Sequence, residues 1–455
     1  MDDRGTRTDG PVSLARNFFF FLANLFGRSE MFSLQDDFLS PGEVCIKPVA
    51  PQRQVEITLQ DCLACSGCVT SAESVLILAQ STAELETRLA ALASRNEVLV
   101  VSVAAEARAS LAAHFDLSLP QTQARLETLF RGWGAARVLD LELARRVQMR
   151  EMRHEFVRHV QQCRAAGRVT PLLASSCPGW ICYAEKSQPQ SLPHISRVRS
   201  AQQIMGQYVK RALGPAIGAP SVYHVCVMMC YDKKLEATRD VFAHDNVRDV
   251  DTVLATSELL EYMQKKGIDF ASLPETPLAA PLRGETEGSG AQASAMFRAA
   301  VREVYGREPP AHVEYKIGRN QDIREASLAV GEERPLKVGV ANGFRNIQNI
   351  VRKLKMGTCD LHFVEIMACP SGCLNGGGQV RADNPKDREQ SKQKLEKVQQ
   401  VYATIEHSDE NNDEEELKEF YRLVGGPPGS DAAKKLFYTD YKKVPPMEDA
   451  IVVNW

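Results

Sequence analysis

Three apolar segments of this chain run directly into a cysteine. The segments are Arg168–Ser176 before Cys177, Val222–Met229 before Cys230 and Leu361–Ala368 before Cys369. Short apolar runs of this kind are typical of strands buried in a parallel sheet. Because ligands of open α/β sheets bind beyond the carboxyl ends of the strands, we expect the three thiols to converge on one object. Any fold of this chain must therefore bring three distant strand ends together.

Strand-like and helical segments alternate along most of the chain. Further strands are predicted at Gln54–Leu59, Glu97–Ala104, Val250–Thr256 and Leu336–Gly343. Helical periodicity predominates in residues 72–95 and 105–165. Such alternation predicts an α/β fold with a mostly parallel sheet. Residues 272–294 are rich in Pro, Gly and Ala, which predicts a surface loop.

The composition excludes several classes of protein. Hydrophobic residues make up 44% and charged residues 25% of the 455 residues, as in ordinary globular domains. The formal net charge is −3, so no overall field favours nucleic acid or a membrane, and we expect neither as a partner. Twelve cysteines are too sparse in so long a chain for a secreted disulfide scaffold, and their clustering favours metal binding.

The first thirty residues contain a short apolar run, Phe18–Phe26. Its length matches the core of a signal peptide and is too short to span a bilayer. Asp2, Asp3 and Asp9 dilute the basic residues before it, and no small-residue cleavage site follows it. We predict that residues 1–30 form a disordered leader, with a signal peptide or anchor as the alternative.

Cys62, Cys65 and Cys68 form a C-x2-C-x2-C run. Two-residue gaps allow one loop to supply three corners of a cubane cluster, as in the bacterial ferredoxin run. Cys45 is the nearby candidate for the fourth corner, although a single cysteine is often only a small buried apolar residue. The run predicts a [4Fe–4S] cluster. Zinc, which prefers two separated cysteine pairs, and unligated thiols are the alternatives.

Cys373 follows Cys369 at C-x3-C spacing and completes a second set with Cys177 and Cys230. The next residues, Leu374–Gly378, form a glycine-rich turn that suits close packing of backbone against a cluster. This turn lacks the Lys-Ser/Thr ending of a phosphate-binding loop. The remaining cysteines of this region are predicted to be structural: Cys163, Cys182, Cys226 and Cys359.

Several motifs of the chain resemble those of a known family. SSCPGW at 175–180, MMCYDKKLEA at 228–237 and EIMACPSGCLNGGG at 365–378 are similar to the three signature segments of iron-only hydrogenases. Together with DCLACSGCVTSAE and GFRNIQN, they resemble more closely the eukaryotic hydrogenase-like branch, which includes components of cytosolic iron–sulfur assembly. The resemblance covers the chain from about Met31 onwards.

The resemblance implies a fold and two cofactors. One [4Fe–4S] cluster would be held by Cys45, Cys62, Cys65 and Cys68, and a second by Cys177, Cys230, Cys369 and Cys373. The implied α/β fold has parallel sheets flanked by helices. A ferredoxin-like cluster segment would occupy residues 31–95, a hydrogenase-like large-subunit domain 96–390 and a helical small-subunit-like tail 391–455.

The chain departs from the hydrogenase pattern where protons would move. The resemblance places Ser176 where hydrogenases carry a proton-relaying cysteine, and a hydroxyl has a much higher pKa than a thiol. Met229 and Ser371 also replace the usual Pro and Gly, whereas Lys233 and Met367 match residues that line the di-iron pocket of hydrogenases. The cluster ligands are complete and the proton pathway is not.

The resemblance therefore implies a protein without catalytic residues that helps deliver clusters to cytosolic and nuclear apoproteins. Its implied partners are the scaffold ATPases and a targeting complex with a WD40-repeat subunit, in the cytoplasm and also the nucleus. Alternatives are a nuclear prelamin-A-recognition protein and an active hydrogenase. Trp455 resembles a C-terminal docking residue, because an indole beside a carboxylate suits a small cationic pocket; a Trp folded back on the core is the alternative.

Overall fold

The computed structural model describes residues 71–278, 282–284, 288–331, 333–407 and 414–444. The predicted leader, the predicted strand Gln54–Leu59, the first cysteine set and Trp455 lie outside the described residues.

The described helices and strands alternate as the sequence predicts. The helices are α1 (Ser71–Leu78), α2 (Thr82–Ala91), α3 (Ala105–Phe115), α4 (Leu119–Gly132), α5 (Glu142–Ala165), α6 (Pro178–Ser187), α7 (Ala201–Tyr208), α8 (Gly214–Ala216), α9 (Asp232–Ala237), α10 (Thr256–Lys265), α11 (Ala291–Glu303), α12 (Phe344–Lys355), α13 (Arg388–Tyr402), α14 (Glu414–Val424) and α15 (Asp431–Phe437). The strands are β1 (Val98–Val103), β2 (Ala135–Asp140), β3 (Leu172–Leu173), β4 (Val222–Met228), β5 (Ala243–His244), β6 (Val247–Arg248), β7 (Thr252–Ala255), β8 (Arg283–Gly284), β9 (Lys316–Ile317), β10 (Ile323–Val330), β11 (Glu333–Asn342), β12 (Phe363–Met367) and β13 (Glu406–His407). No helix in this part of the chain is long and apolar enough to cross a membrane.

The first sheet is parallel throughout, with strand order β2-β1-β4-β7. Every residue of β4 is buried, and only the first residue of β1 is partly exposed. A strand covered on both faces needs apolar side chains at consecutive positions, which explains the continuous apolar runs in these two segments. The edge strand β2 was not predicted, because only Ala135 of it is buried and its sequence shows no such run.

The second sheet has strand order β3-β12-β11-β10-β9 and is mixed. Strands β3, β12 and β11 are parallel, whereas β10 pairs antiparallel with both β11 and β9. The predicted parallel arrangement is therefore confirmed for the strands that lead to cysteines. The antiparallel edge was missed because β10 is half-exposed and carries Arg324 and Glu325 among its apolar residues.

Two predictions of local structure need correction. The strand predicted at 168–176 is only two residues long, Leu172–Leu173, and the rest of that run is irregular. The loop predicted at 272–294 ends early, because residues 291–294 form the first turn of α11 and are buried. Ala-rich sequence favours a helix, so composition alone assigned this end of the segment wrongly.

The C-terminal helices pack on the body of the protein, and Glu151 of α5 holds them there. Its carboxylate is fully buried and accepts hydrogen bonds from the hydroxyls of Tyr421 at 2.8 Å and Tyr438 at 3.1 Å. The amide N–H of Gly429 donates to the same carboxylate at 3.1 Å. A buried carboxylate is tolerated only when donors surround it, so one residue anchors the segment from α14 to the end of α15. The boundary between residues 390 and 391 stays a prediction.

Replacing Glu151 with Leu will therefore loosen the C-terminal segment. Three donors lose their acceptor, and the hydroxyl of Tyr421 among them is buried, which lowers the free energy of unfolding by about 3 kcal/mol. Urea denaturation measures that change, and limited proteolysis will show earlier cleavage between residues 425 and 444. The matched control is Glu419→Leu, because Glu419 pairs with Arg422 at the surface and should cost less than about 1 kcal/mol. Equal stability of the two variants would contradict the anchoring role.

Candidate metal centre

Cys177 lies between the end of β3 and the first turn of α6. It occupies the N-cap position of α6, and Pro178 begins the helix. The Sγ atom accepts a hydrogen bond from the amide of Ala368 at 3.3 Å, and the amide of Trp180 also donates to it. Helix N-termini and amide donors stabilise a thiolate, so this position suits a metal ligand.

The other three cysteines follow strands of different sheets. Cys230 comes two residues after β4 of the first sheet, and Cys369 two residues after β12 of the second. Cys373 follows a turn in which Ser371 and Gly372 have φ values of 61° and 77°, in the left-handed region. That turn reverses the chain and returns Cys373 to Met367, with 3.7 Å between the two sulfur atoms. Cys177 is buried, whereas Cys230, Cys369 and Cys373 keep partial exposure.

The four thiols share one electrostatic neighbourhood. Desolvation raises the pKa of Cys230 well above its usual value, and the nearby Cys369 and Cys373 raise it further. Desolvation and Cys177 raise the pKa of Cys369 to about 12. The pKa of Cys373 rises for the same reasons, with Cys177 and Cys369 among its neighbours. Thiolates in such a shared neighbourhood repel one another, and bound metal cations would compensate their charge.

The glycine-rich turn lies against the segment that carries Cys230. A Cβ atom at Gly376 would lie 2.3 Å from the carbonyl oxygen of Met229. A Cβ atom at Gly378 would lie 2.8 Å from Cβ of Ala255 and 3.1 Å from Cα of Cys230. The sequence predicted close packing against a cluster. The structure shows close packing against the backbone beside the ligands, which fixes Cys373 relative to Cys230.

Within the described ranges, no group of three or more His, Cys, Asp or Glu side chains is arranged to hold a metal ion. A zinc ion needs its sulfur ligands about 2.3 Å from one centre. A cubane binds each of its four cysteines through a different iron, so its ligands can stand farther apart. Four cysteine thiolates are the usual donor set of a cubane, so Cys177, Cys230, Cys369 and Cys373 stay its predicted ligands.

A cavity of about 80 Å³ adjoins the cysteines and contains Ser176, Met229, Lys233, Met367 and Cys373 in its lining. The hydroxyl of Ser176 accepts hydrogen bonds from two buried amides.

These amides belong to Gln148 and Gln292, each with 2.8 Å between its Nε2 atom and Oγ of Ser176. Amides do not titrate, so these two donors cannot pass a proton to or from Ser176. Sequence reasoning found Ser176 but missed both glutamines. They come from α5 and α11, far away in the chain, and no local pattern marks them.

Lys233 lies buried beside this cavity. Its ammonium donates to the carbonyl of Ser176 at 3.1 Å and forms an ion pair with Glu236 at 2.7 Å. Burial alone would lower the pKa of Lys233, but Glu236 and the thiols of Cys230 and Cys373 outweigh it and raise the pKa. The side chain is therefore a fixed positive charge next to the cysteines. This charge favours the binding of a cluster that is anionic with its thiolates.

The remaining cysteines behave in different ways. Cys226 and Cys359 are buried in the core, as predicted. Cys182 is partly exposed, so a role as a buried core residue does not account for its position. Cys163 lies 3.6 Å from Nε2 of His159, a neighbour that the sequence analysis did not identify. The first set of Cys45, Cys62, Cys65 and Cys68 lies outside the described residues, so the structure does not bear on those four.

Comparison with known proteins identifies similar sequences over most of the chain. The family described as "Iron only hydrogenase large subunit, C-terminal domain" matches residues 97–377. Protein NAR1 of Arabidopsis thaliana is 38% identical over 475 residues, which covers 92% of this chain and 97% of that protein. Cytosolic iron-sulfur assembly component 3 of Pongo abelii is 38% identical over 468 residues, with the same coverage of both chains.

Solved structures show the same fold. A variant of the [FeFe]-hydrogenase HydA1 from Chlamydomonas reinhardtii superposes with a TM-score of 0.67 at 26% identity. The match covers 79% of this chain and 98% of the hydrogenase. The α/β architecture of the described residues is therefore that of a hydrogenase catalytic domain.

Replacing Gly376 with Ala will displace the turn that carries Cys373. The new methyl group would meet the carbonyl of Met229, which is backbone and cannot move aside. We expect a loss of about 2 kcal/mol in the free energy of unfolding and a lower iron content after reconstitution. The control is Gly132→Ala, which meets nothing within 4 Å in α4 and should be neutral or slightly stabilising. Unchanged stability and iron content in the Gly376 variant would contradict the packing argument.

Proposed function

Since this chain belongs to the family of hydrogenase-like cytosolic iron–sulfur assembly components, we propose that it binds two [4Fe–4S] clusters and helps deliver clusters to apoproteins outside mitochondria. Cys177, Cys230, Cys369 and Cys373 hold one cluster in this proposal. Cys45, Cys62, Cys65 and Cys68 hold the other. When bound, the clusters supply transferable iron and sulfide together with one-electron chemistry.

One observation carries the proposal: the four thiols of the second set share a desolvated region that raises the pKa of each. The pKa values of these thiols are raised, and their thiolate forms would repel one another. Lying close together therefore does not stabilise them unless a metal binds them. Lys233 adds a fixed positive charge at the same place. The arrangement resembles a cluster site more than an ordinary apolar core.

The cavity beside the cysteines supports a role without catalysis. A hydrogenase must carry protons to and from its buried metal centre, which requires groups that gain and lose protons near neutral pH. Here Ser176 is hydrogen-bonded by Gln148 and Gln292, and Lys233 is held by its ion pair. None of these four groups is a proton relay, so we propose that the chain does not turn over hydrogen.

Anaerobic reconstitution will yield about eight irons and eight sulfides per chain, with two reducible cubane signals in EPR spectra. Cys369→Ser should remove one cluster and leave about four irons, and Cys62→Ser should remove the other. The matched control is Cys359→Ser, because that thiol is buried and is predicted to be structural, so its replacement should leave the iron content unchanged.

Three outcomes would count against this assignment. If the Cys369→Ser variant binds as much iron as the parent chain, Cys369 is not a cluster ligand. Zinc in place of iron after purification from cells would favour a structural metal site. About ten irons with carbonyl infrared bands and hydrogen evolution would show an active hydrogenase instead.

The partners in this proposal are the scaffold ATPases and the targeting complex with its WD40-repeat subunit, in the cytoplasm and nucleus. The course of the C-terminal segment supports docking through Trp455. The amide of Thr439 donates to the carbonyl of Arg197 at 2.8 Å, and that of Val444 to the carbonyl of Glu185 at 3.1 Å. Residues up to Val444 are thus held on the body, and Trp455 follows eleven residues later in the sequence.

Deleting Trp455 will abolish capture of the targeting complex by the tagged chain, while Trp455→Phe will retain part of it, because an aromatic anchor fills the same pocket. Pull-down from a mixture of purified components measures both. The iron content of each variant serves as the control for folding. Undiminished capture after the deletion would remove Trp455 from the interface.

A further inference from the structure

Helix α1 follows the first cysteine set and packs against the segment that carries Cys230. It begins at Ser71, which is three residues after Cys68 in the sequence. Ile77 of α1 is buried in a small apolar cluster with Tyr231, Leu235 and Ala255. The helix next to the first set therefore rests on residues that follow the second-set ligand.

A group of buried polar residues fastens this contact. The ammonium of Lys234 is fully buried and donates to the carbonyl of Gln80 at 2.8 Å and to Oε1 of Glu258 at 2.6 Å. The Gln80 side chain donates to the carbonyl of Lys234 at 3.1 Å and accepts from the amide of Val253 at 3.0 Å. We name Gln80, Lys234 and Glu258 the latch. A buried ammonium needs such partners, so the end of α1 has little freedom to move away.

Helix α9 connects the latch to the cavity. It begins two residues after Cys230 and carries Lys233 and Lys234 side by side. Lys233 donates to the carbonyl of Ser176, whereas Lys234 donates to Gln80 and Glu258. One short helix is therefore tied on one side to the residue before Cys177 and on the other side to α1.

The latch also reaches the glycine-rich turn. Glu258 lies in the first turn of α10, where the amide of its neighbour Ser257 donates to the carbonyl of Gly378 at 2.9 Å. The amide of Gly378 in turn donates to the carbonyl of Met229 at 2.9 Å. Displacement of the Cys230 or Cys373 segment would therefore disturb the residues that hold Lys234 and Glu258 in place.

We propose that the latch couples the two cysteine sets. It holds α1, which follows the Cys62–Cys68 run in the sequence, on the segment that carries Cys230. Loss of metal from the second set then loosens the first set. Lys234 is a positioning residue in this account, since it acts through α1. The inference that metal loss from one set affects the other rests on the proposed two-cluster function. The inference that the latch holds α1 in place does not.

The first experiment uses the full chain without metal. The double variant Lys234→Met with Glu258→Gln removes the ion pair without leaving a buried charge, and the new amide oxygen can still cap α10. We expect amide exchange in residues 71–80 to accelerate at least about tenfold, and alkylation of Cys62, Cys65 and Cys68 to become faster. Exchange in β11 should not change, which shows that the fold persists.

The control is Lys266→Met. It removes a neighbouring ion pair with Glu86, at 2.9 Å, in which both side chains are about 30% exposed. An exposed pair contributes little, so we expect exchange in residues 71–80 to stay within about twofold of the parent chain. Equal exchange in the latch variant and this control would overturn the proposal.

The second experiment measures coupling in the reconstituted chain. Cys230→Ser should speed the loss of first-set iron to a chelator in the parent background and add nothing in the latch variant. Additive effects of Cys230→Ser and the latch substitutions would overturn the coupling. The two proposals fail in different ways. A chain that binds no iron would contradict the proposed function. Unchanged amide exchange in residues 71–80 of the latch variant would contradict the latch.

Discussion

The shared, desolvated surroundings of four thiols are the constraint on which the surrounding structure depends. Desolvation and mutual repulsion raise the pKa values of Cys230, Cys369 and Cys373, so the group can be ionised only when cations bind it. Three features of the structure surround these thiols. A glycine-rich turn packs closely on the backbone beside Cys230, amides donate to Cys177, and Lys233 carries a fixed positive charge. Each of these features lowers the cost of holding an anionic cluster in a partly dry site.

The cavity beside the cysteines is the part of the shared fold on which the proposed loss of hydrogenase chemistry rests. The architecture of the described residues is that of a hydrogenase catalytic domain. Ser176, which the resemblance places at the relay position, lies between two glutamine amides. Amide donors hold a hydroxyl firmly and cannot exchange protons with it at neutral pH. In our proposal, fold and function separate at a few side chains, while the predicted cluster ligands of the same domain stay complete.

Buried charges outside the sheets anchor the two ends of the described chain. Glu151 gathers Tyr421, Gly429 and Tyr438, and so holds the C-terminal helices on α5. Lys234 does the same for α1 through Gln80 and Glu258. A buried charge tolerates few arrangements of its partners, so it specifies where a segment docks more sharply than apolar contacts do. Both terminal segments are thereby joined to elements that lead to or from a second-set cysteine.

The sequence alone determined the strands buried on both faces, because a continuous apolar run has few other interpretations. It also predicted the second cysteine set, because three of the apolar runs end at thiols. It did not reveal the antiparallel edge β10 or the edge strand β2, whose half-exposed residues lack such a run. Only the tertiary structure showed that Cys177 and Cys369 follow one sheet while Cys230 follows the other. Only the tertiary structure placed Gln148 and Gln292 on Ser176, because contacts between side chains far apart in sequence leave no local pattern.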